Sequence, residues 1–144
     1  MTLPYASATS GKQAMNDLQS ILQGFGAQSF GFFEDYEDGT LTVQFKYRDQ
    51  RVSVVASAKG YAVALMKTRK DKRRPALWKE ADAMAQGHIA VFSILRDWVK
   101  GQITAVECGI LSFQSAFLGQ ILLPNGETVL QRVERENILS LPSS

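Results

Sequence analysis

The chain has 144 residues, a single cysteine, and 16 Lys and Arg against 14 Asp and Glu, for a net charge of +2. That length fits one domain, which at this size buries about 68–70% of its extended surface and needs no disulfide or metal to hold it. One cysteine excludes an intrachain disulfide, and no run approaches the roughly 18 apolar residues of a membrane span, so a cytoplasmic protein is expected.

The start, MTLPYASATSGK, lacks the basic and apolar regions of a secretory signal. Residues 1–9 are small and polar and are expected to be flexible, ahead of a single α+β domain over residues 10–139 and a flexible tail over 140–144. Ser10 is a natural N-cap for a helix over Gly11–Gln23, with Met15, Leu18, Ile21, Leu22 and Phe25 on its apolar face and Gly24 and Gly26 as its stop. Three strands follow. Gln28–Glu34 carries Phe30, Phe32 and Phe33, and Asp38-Gly39 signals a hairpin. In TLTVQFKYR, Leu41, Val43, Phe45 and Tyr47 alternate with Thr40, Thr42, Gln44, Lys46 and Arg48, the pattern of one covered and one wet face. A polar turn at Asp49-Gln50 leads to Arg51–Ser57, with Val52, Val54 and Ala56 inward. Ser57 caps a short helix from Ala58 to about Thr68, which Gly60 weakens by roughly 1 kcal/mol relative to Ala.

Ala76–Cys108 is the organising stretch. Leu77, Ala81, Met84, His88, Val91, Leu95 and Trp98 step by three and four along one stripe, which Trp78, Ala85, Phe92 and Val99 widen. Lys79, Asp82, Gln86, Ala90, Ser93, Asp97 and Lys100 form the opposite, wetter face; Pro75 suits a first helical turn and Gly109 a stop. Beyond it, Ser112 caps a short helix over Phe113–Leu118, and ILLPNGETVLQRV reads as a second hairpin about Asn125-Gly126. The predicted architecture is an antiparallel meander of three strands plus a C-terminal hairpin, packed against a long central helix and shorter helices. Its opening order, helix, three strands, helix, is also that of double-stranded-RNA-binding domains, without their loop motifs.

Two stretches, GFGAQSFGFFEDYEDGTLTVQFKYRDQRVSVVASAKGYA and VECGILSFQSAFLGQILLPNGETV, resemble small, functionally uncharacterised proteins encoded by tailed bacteriophages and prophages. The resemblance spans about residues 10–133 and implies a viral or mobile-element origin. It carries over no catalytic residue, and the segment Lys67–Arg74 departs from that group.

Little catalytic chemistry is legible. One His and one Cys exclude an ordinary intrachain zinc site, so neither metal nor cofactor is expected. His88 on the apolar stripe reads as a hydrogen-bonded boundary residue and Cys108 as a small core filler. The acidic run EDYED lacks the spacing of a calcium loop and reads as a solvated turn. GFGAQSFG follows a helix and precedes a strand, the reverse of a dinucleotide fingerprint. ASAKG could offer amides to an anion, but reads as an N-cap.

The basic segment has a direct physical consequence. Lys67, Arg69, Lys70, Lys72, Arg73, Arg74 and Lys79 place seven cations in thirteen residues, a density that attracts phosphates with salt-sensitive affinity. Lys46, Arg48 and Arg51 could extend it, depending on packing; aromatic residues interleaved for base stacking are absent. The expectation is a non-enzymatic accessory protein contacting nucleic acid or nucleotide phosphates through Lys67, Arg69, Lys70, Lys72, Arg73 and Arg74, without membrane contact. The alternative is a protein-binding inhibitor of a host defence or transcription factor, which an exposed apolar patch or a homo-oligomer would support; candidate surfaces are the strand with Phe30, Phe32 and Phe33 and the flank of the long helix with Ile89 and Ile94.

Overall fold

The computed structural model describes residues 3–68 and 78–139. Its order is α1 (Gly11–Phe25), β1 (Ser29–Asp35), β2 (Thr40–Tyr47), β3 (Gln50–Ser57), α2 (Ala58–Met66), α3 (Glu80–Glu107), α4 (Phe113–Phe117), a 3-10 turn (Leu118–Gln120) and α5 (Val129–Arg135). This is the expected α+β arrangement, an antiparallel meander in the order β1-β2-β3 against a long central helix.

Local chemistry sets the element ends. Ser10, Ser57 and Ser112 each accept a hydrogen bond from the backbone N–H three residues on, which fixes the starts of α1, α2 and α4. Gly26, at φ 104°, closes α1, whereas Gly24 stays inside the helix. Two turns differ from expectation. The β1–β2 connection uses four residues, Tyr36–Gly39, with Gly39 alone at positive φ; the Asp38 N–H donates to Asp35 Oδ1 (2.8 Å) and shapes it. The β2–β3 turn is Arg48-Asp49 rather than Asp49-Gln50. Both residues are left-handed (φ 46° and 65°), and Tyr47 pairs with Gln50. Only a two-residue loop at those positions keeps Phe45 opposite Val52 and Val43 opposite Val54, so every inward side chain stays inward.

Leu41, Val43, Phe45, Val52 and Val54 form the buried face of the sheet and pack with Val91, Phe92, Leu95, Val99 and Ile103 of α3. Phe113 and Phe117 of α4 close one end of this core against Phe45, Tyr47 and Trp98. α1 and α2 both pack on α3. The stripe predicted for α3 is therefore too narrow and partly misplaced. Ala90 and Ser93, assigned to the wet face, are buried, while Ala81 and Ala85 are exposed and Trp98 is half-exposed. A helix with neighbours on several sides has no single apolar stripe, and small residues mark the closest approach. At Gly87 an added Cβ would stand 2.7 Å from the Ala58 carbonyl oxygen. The helix begins at Glu80, not Ala76, because Lys79 has extended backbone (φ −75°, ψ 152°); Pro75, Ala76 and Leu77 lie outside the described residues.

The C-terminal hairpin is a correction. Strand pairing there is reduced to the single bridges Leu122↔Thr128 and Val52↔Ile121, and residues 129–135 are helical. Thr128 and Gln131 form a reciprocal capping box, each side chain accepting from the other's backbone, and this local pair starts α5 where alternation suggested a strand. Cys108 is a second correction: it caps α3 and is exposed, not a core filler. The first residues, read as loose, make specific contacts. Tyr5 donates to Asp97 Oδ2 (2.7 Å), Tyr61 donates to the Pro4 carbonyl, and Gln86 donates to the Ala8 carbonyl (2.8 Å).

Two glycines of α3 separate packing from propensity. Gly87→Ala is expected to destabilise by about 1–3 kcal/mol, because the new methyl meets backbone that cannot swing away. Gly101→Ala, with nothing within 4 Å of its Cβ position, is expected to stabilise by about 0.5–1 kcal/mol. Urea denaturation of both variants checks the opposite signs.

Candidate functional site

The predicted phosphate-contacting residues are only partly placed. Lys67 is the exposed C-cap of α2, while Arg69, Lys70, Lys72, Arg73 and Arg74 lie outside the described residues. Lys46, Arg48 and Arg51 do not join Lys67. They stand at the Tyr47–Gln50 end of the sheet, whereas α2 leaves from Ser57 at the other end. Ala58 and Ala62 of α2 meet Gly87, and α2 and α3 run antiparallel, so Lys67 lies beyond the sheet. The sheet face turned away from α3 therefore carries its cations at one end and Asp35 at the other.

His88 is the group whose surroundings bear most on catalysis. Its Nδ1 lies 3.1 Å from Glu34 Oε2, with both side chains largely buried, yet Nδ1 makes no well-aligned hydrogen bond. The Tyr36 ring lies 5.4 Å away, and the Glu34 carboxylate holds the Tyr36 hydroxyl above its ordinary phenol range. This places His88 at the α3–β1 contact, the boundary position expected of it, but without the hydrogen bond expected there, since Nδ1 has no hydrogen-bond partner among the described residues. The EDYED run is only partly the solvated turn expected: Glu34 and Asp35 end β1, with Glu34 facing His88, and Tyr36, Glu37 and Asp38 lie in the turn, where the Asp38 N–H donates to Asp35.

Two polar clusters and a hollow on the sheet were not legible in the sequence. Arg96 binds Asp97 (2.9 Å) and reaches Asp17 of α1 (3.5 Å), while Tyr5 donates to Asp97. The Arg96 guanidinium, and then the Tyr5 hydroxyl, hold Asp97 below the ordinary carboxylate range. A shallow groove of about 430 Å³ runs beside them, lined by Tyr5, Ser10, Gln13, Ser93 and Arg96. On the uncovered sheet face a second hollow, of about 400 Å³, lies over Gly31 between Phe33, Thr42 and Gln44. Phe33 and Val55 on that face are 63% and 60% exposed, and Phe32 on the strand edge is 50% exposed. Glu127 receives Arg135 as a fork, at 2.8 and 3.3 Å, and the Asn125 amide at 3.0 Å. No signal beyond the three phenylalanines could have found these clusters, because each joins residues far apart in the chain or across a turn.

No family model matches the chain, and no curated protein or solved structure is significantly similar to it. The site must be read from its own residues.

Arg135, then Asn125, pulls Glu127 from 4.5 down to about 2. Its folded pKa lies below its unfolded value, so its contribution is complete above about pH 4.5 and fades as pH falls toward 2. Protection factors of the α5 amides, which take out the pH dependence of intrinsic exchange, are expected to fall over that window in the wild type, and Glu127→Gln should flatten the dependence. NMR-detected exchange at pH 5 and pH 3 checks it.

Proposed function

We propose that this chain is a non-enzymatic, phage-type accessory protein of the host cytoplasm, and that Lys67, Arg69, Lys70, Lys72, Arg73 and Arg74 meet nucleic-acid or nucleotide phosphates. The observation that carries this reading is charge density: seven cations between Lys67 and Lys79, opposed only by Asp71 before Lys79. The segment begins at the exposed end of α2, beyond the sheet, where Lys67 is open to a large polyanion. Contacts of this kind neutralise the backbone and do not read bases. The non-enzymatic part draws on the sequence, in which no nucleophile–base pair or metal-ligand set is visible. The phage part rests on the likeness of the two long stretches around the sheet and the end of α3.

A second reading, a protein-binding inhibitor of a host defence or transcription factor, is favoured by one observation. Phe32, Phe33 and Val55 stay exposed on the sheet, and aromatic side chains are enriched where proteins meet.

The readings separate in one titration. Fluorescence anisotropy with labelled duplex and single-stranded oligonucleotides is expected to show binding that weakens steeply with salt. Changing Lys72, Arg73 and Arg74 to Ala should reduce the slope of log K against log salt by about 2.7, at roughly 0.9 per neutralised phosphate on duplex DNA. No binding at low salt, or binding indifferent to those three residues, would overturn the phosphate reading. A protein partner captured after nuclease treatment would then favour the second.

A further inference from the structure

β1 is an edge strand without lysine, proline or a covering segment among the described residues, and its inward charge, Glu34, faces His88. Its sequence, SFGFFED, has no Lys and no Pro, and its central residues Gly31, Phe32 and Phe33 are all exposed. The other edge of the sheet is partly covered: the Leu122 N–H donates to the Arg51 carbonyl (2.8 Å) outside β3. Among the described residues nothing pairs with the outer edge of β1.

The backbone phase of that edge follows from the Arg48-Asp49 turn. A two-residue hairpin closes on a hydrogen-bonded pair, here Tyr47 and Gln50, and the pairing alternates from there. Phe45, Val43 and Leu41 then bond to β3, while Lys46, Gln44 and Thr42 bond to β1. The outward Arg51 carbonyl on β3 agrees with this phase. In β1 it turns the N–H and C=O groups of Phe30, Phe32 and Glu34 to the outer edge.

We infer that a second copy of this chain pairs along this edge, β1 antiparallel to β1 about a two-fold axis at Phe32, to give a continuous six-stranded sheet. This is the register with the right phase that overlaps the whole strand. It sets Phe32 opposite Phe32, Phe30 opposite Glu34, Gly31 opposite Phe33 and Ser29 opposite Asp35.

Two features select a second copy as the occupant. The first is shape. The exposed Phe33 ring of each copy comes over Gly31 of the other, into the hollow bounded by Thr42 and Gln44, and it does so twice by symmetry. An aromatic ring laid across a strand glycine supplies the packing that the glycine lacks. The second is charge. Lys46 and Arg51 face each other directly on the open face, and the ion pair Lys46 makes among the described residues is a long 3.9 Å contact to Asp49. Like charges so placed repel. In the paired sheet Asp35 of the second copy lies beside Ser29, whose other neighbour is Lys46, so a carboxylate reaches the cation row across one small residue. Each copy gives and receives that contact, as an isologous interface requires.

Sedimentation equilibrium of the full chain at neutral pH is expected to show a dimer at twice 15.9 kDa. Phe33→Asp leaves the buried core untouched and is expected to weaken the dimer about tenfold or more, the scale of a lost anchor residue. Asp35→Lys and Lys46→Glu should each weaken it, and the double variant should restore it; circular dichroism confirms that each variant folds. A monomer at concentrations up to about 1 mM, the weak end of specific association, would overturn the proposal. So would a dimer indifferent to Phe33→Asp, or a charge exchange without rescue. The phosphate reading stands or falls separately, since none of these variants touches Lys67–Arg74.

Discussion

Where Gly87 lacks a side chain, the Ala58 carbonyl takes the space, and that approach determines how α2 and α3 lie together. Ala62 and Ala83 are small and wholly buried beside it, with Leu65 filling the remainder of a second, smaller core. Close helix packing demands small residues at the crossing, because helix axes that approach within about 8 Å leave no room for branched side chains. The consequence reaches the sheet. Gly39 carries the same constraint at the other end of Ala58: its carbonyl accepts from the Lys59 N–H (3.0 Å), and a Cβ there would stand 2.9 Å from that of Lys59. The start of α2 is thus held between α3 and the β1–β2 turn.

This constraint explains where the sequence was readable and where it was not. Caps were readable because their chemistry is local: Ser10, Ser57 and Ser112 each act within three residues. Alternation was readable over Leu41, Val43 and Phe45 because one face meets water and the other a core. The burial of Ala90 and Ser93 was not readable, because small and polar residues on a helix score as wet unless a neighbour is known to press there. Trp98 and Cys108 failed for the opposite reason, since apolar character says nothing about a helix outrunning its partners. At Thr128 two local signals compete. The β-branched and apolar run favours a strand, while the Thr128–Gln131 box favours a helix, and with little sheet left to join, the box prevails.

The candidate site divides in the same way. The cation run from Lys67 to Lys79 is a property of composition and needed no structure to find. The separation of Lys67 from Lys46, Arg48 and Arg51 is a property of topology, since α2 leaves from Ser57, at the end of the sheet opposite the Arg48-Asp49 turn. What the fold adds is the fate of the three phenylalanines. Phe30 joins the core, Phe32 turns edge-on to Phe92 at 5.7 Å, and Phe33 is left on the open face.

An open sheet face and a bare edge are costly to leave unexplained in a chain that satisfies so many polar groups internally. Arg96 is tied to Asp97 and Asp17, Arg135 to Glu127, and His88 faces Glu34. Strand edges are ordinarily blunted by lysine, proline or a covering loop, and β3 receives Leu122 in that role. β1 receives none of these among the described residues, and the glycine at its centre opens a hollow on the open face beside its own aromatic neighbour. A strand that is bare, glycine-centred and acidic at one end, beside a cation row at the other, is a self-complementary surface. On that argument the proposed association uses the uncovered edge and needs none of the residues from Lys67 to Arg74.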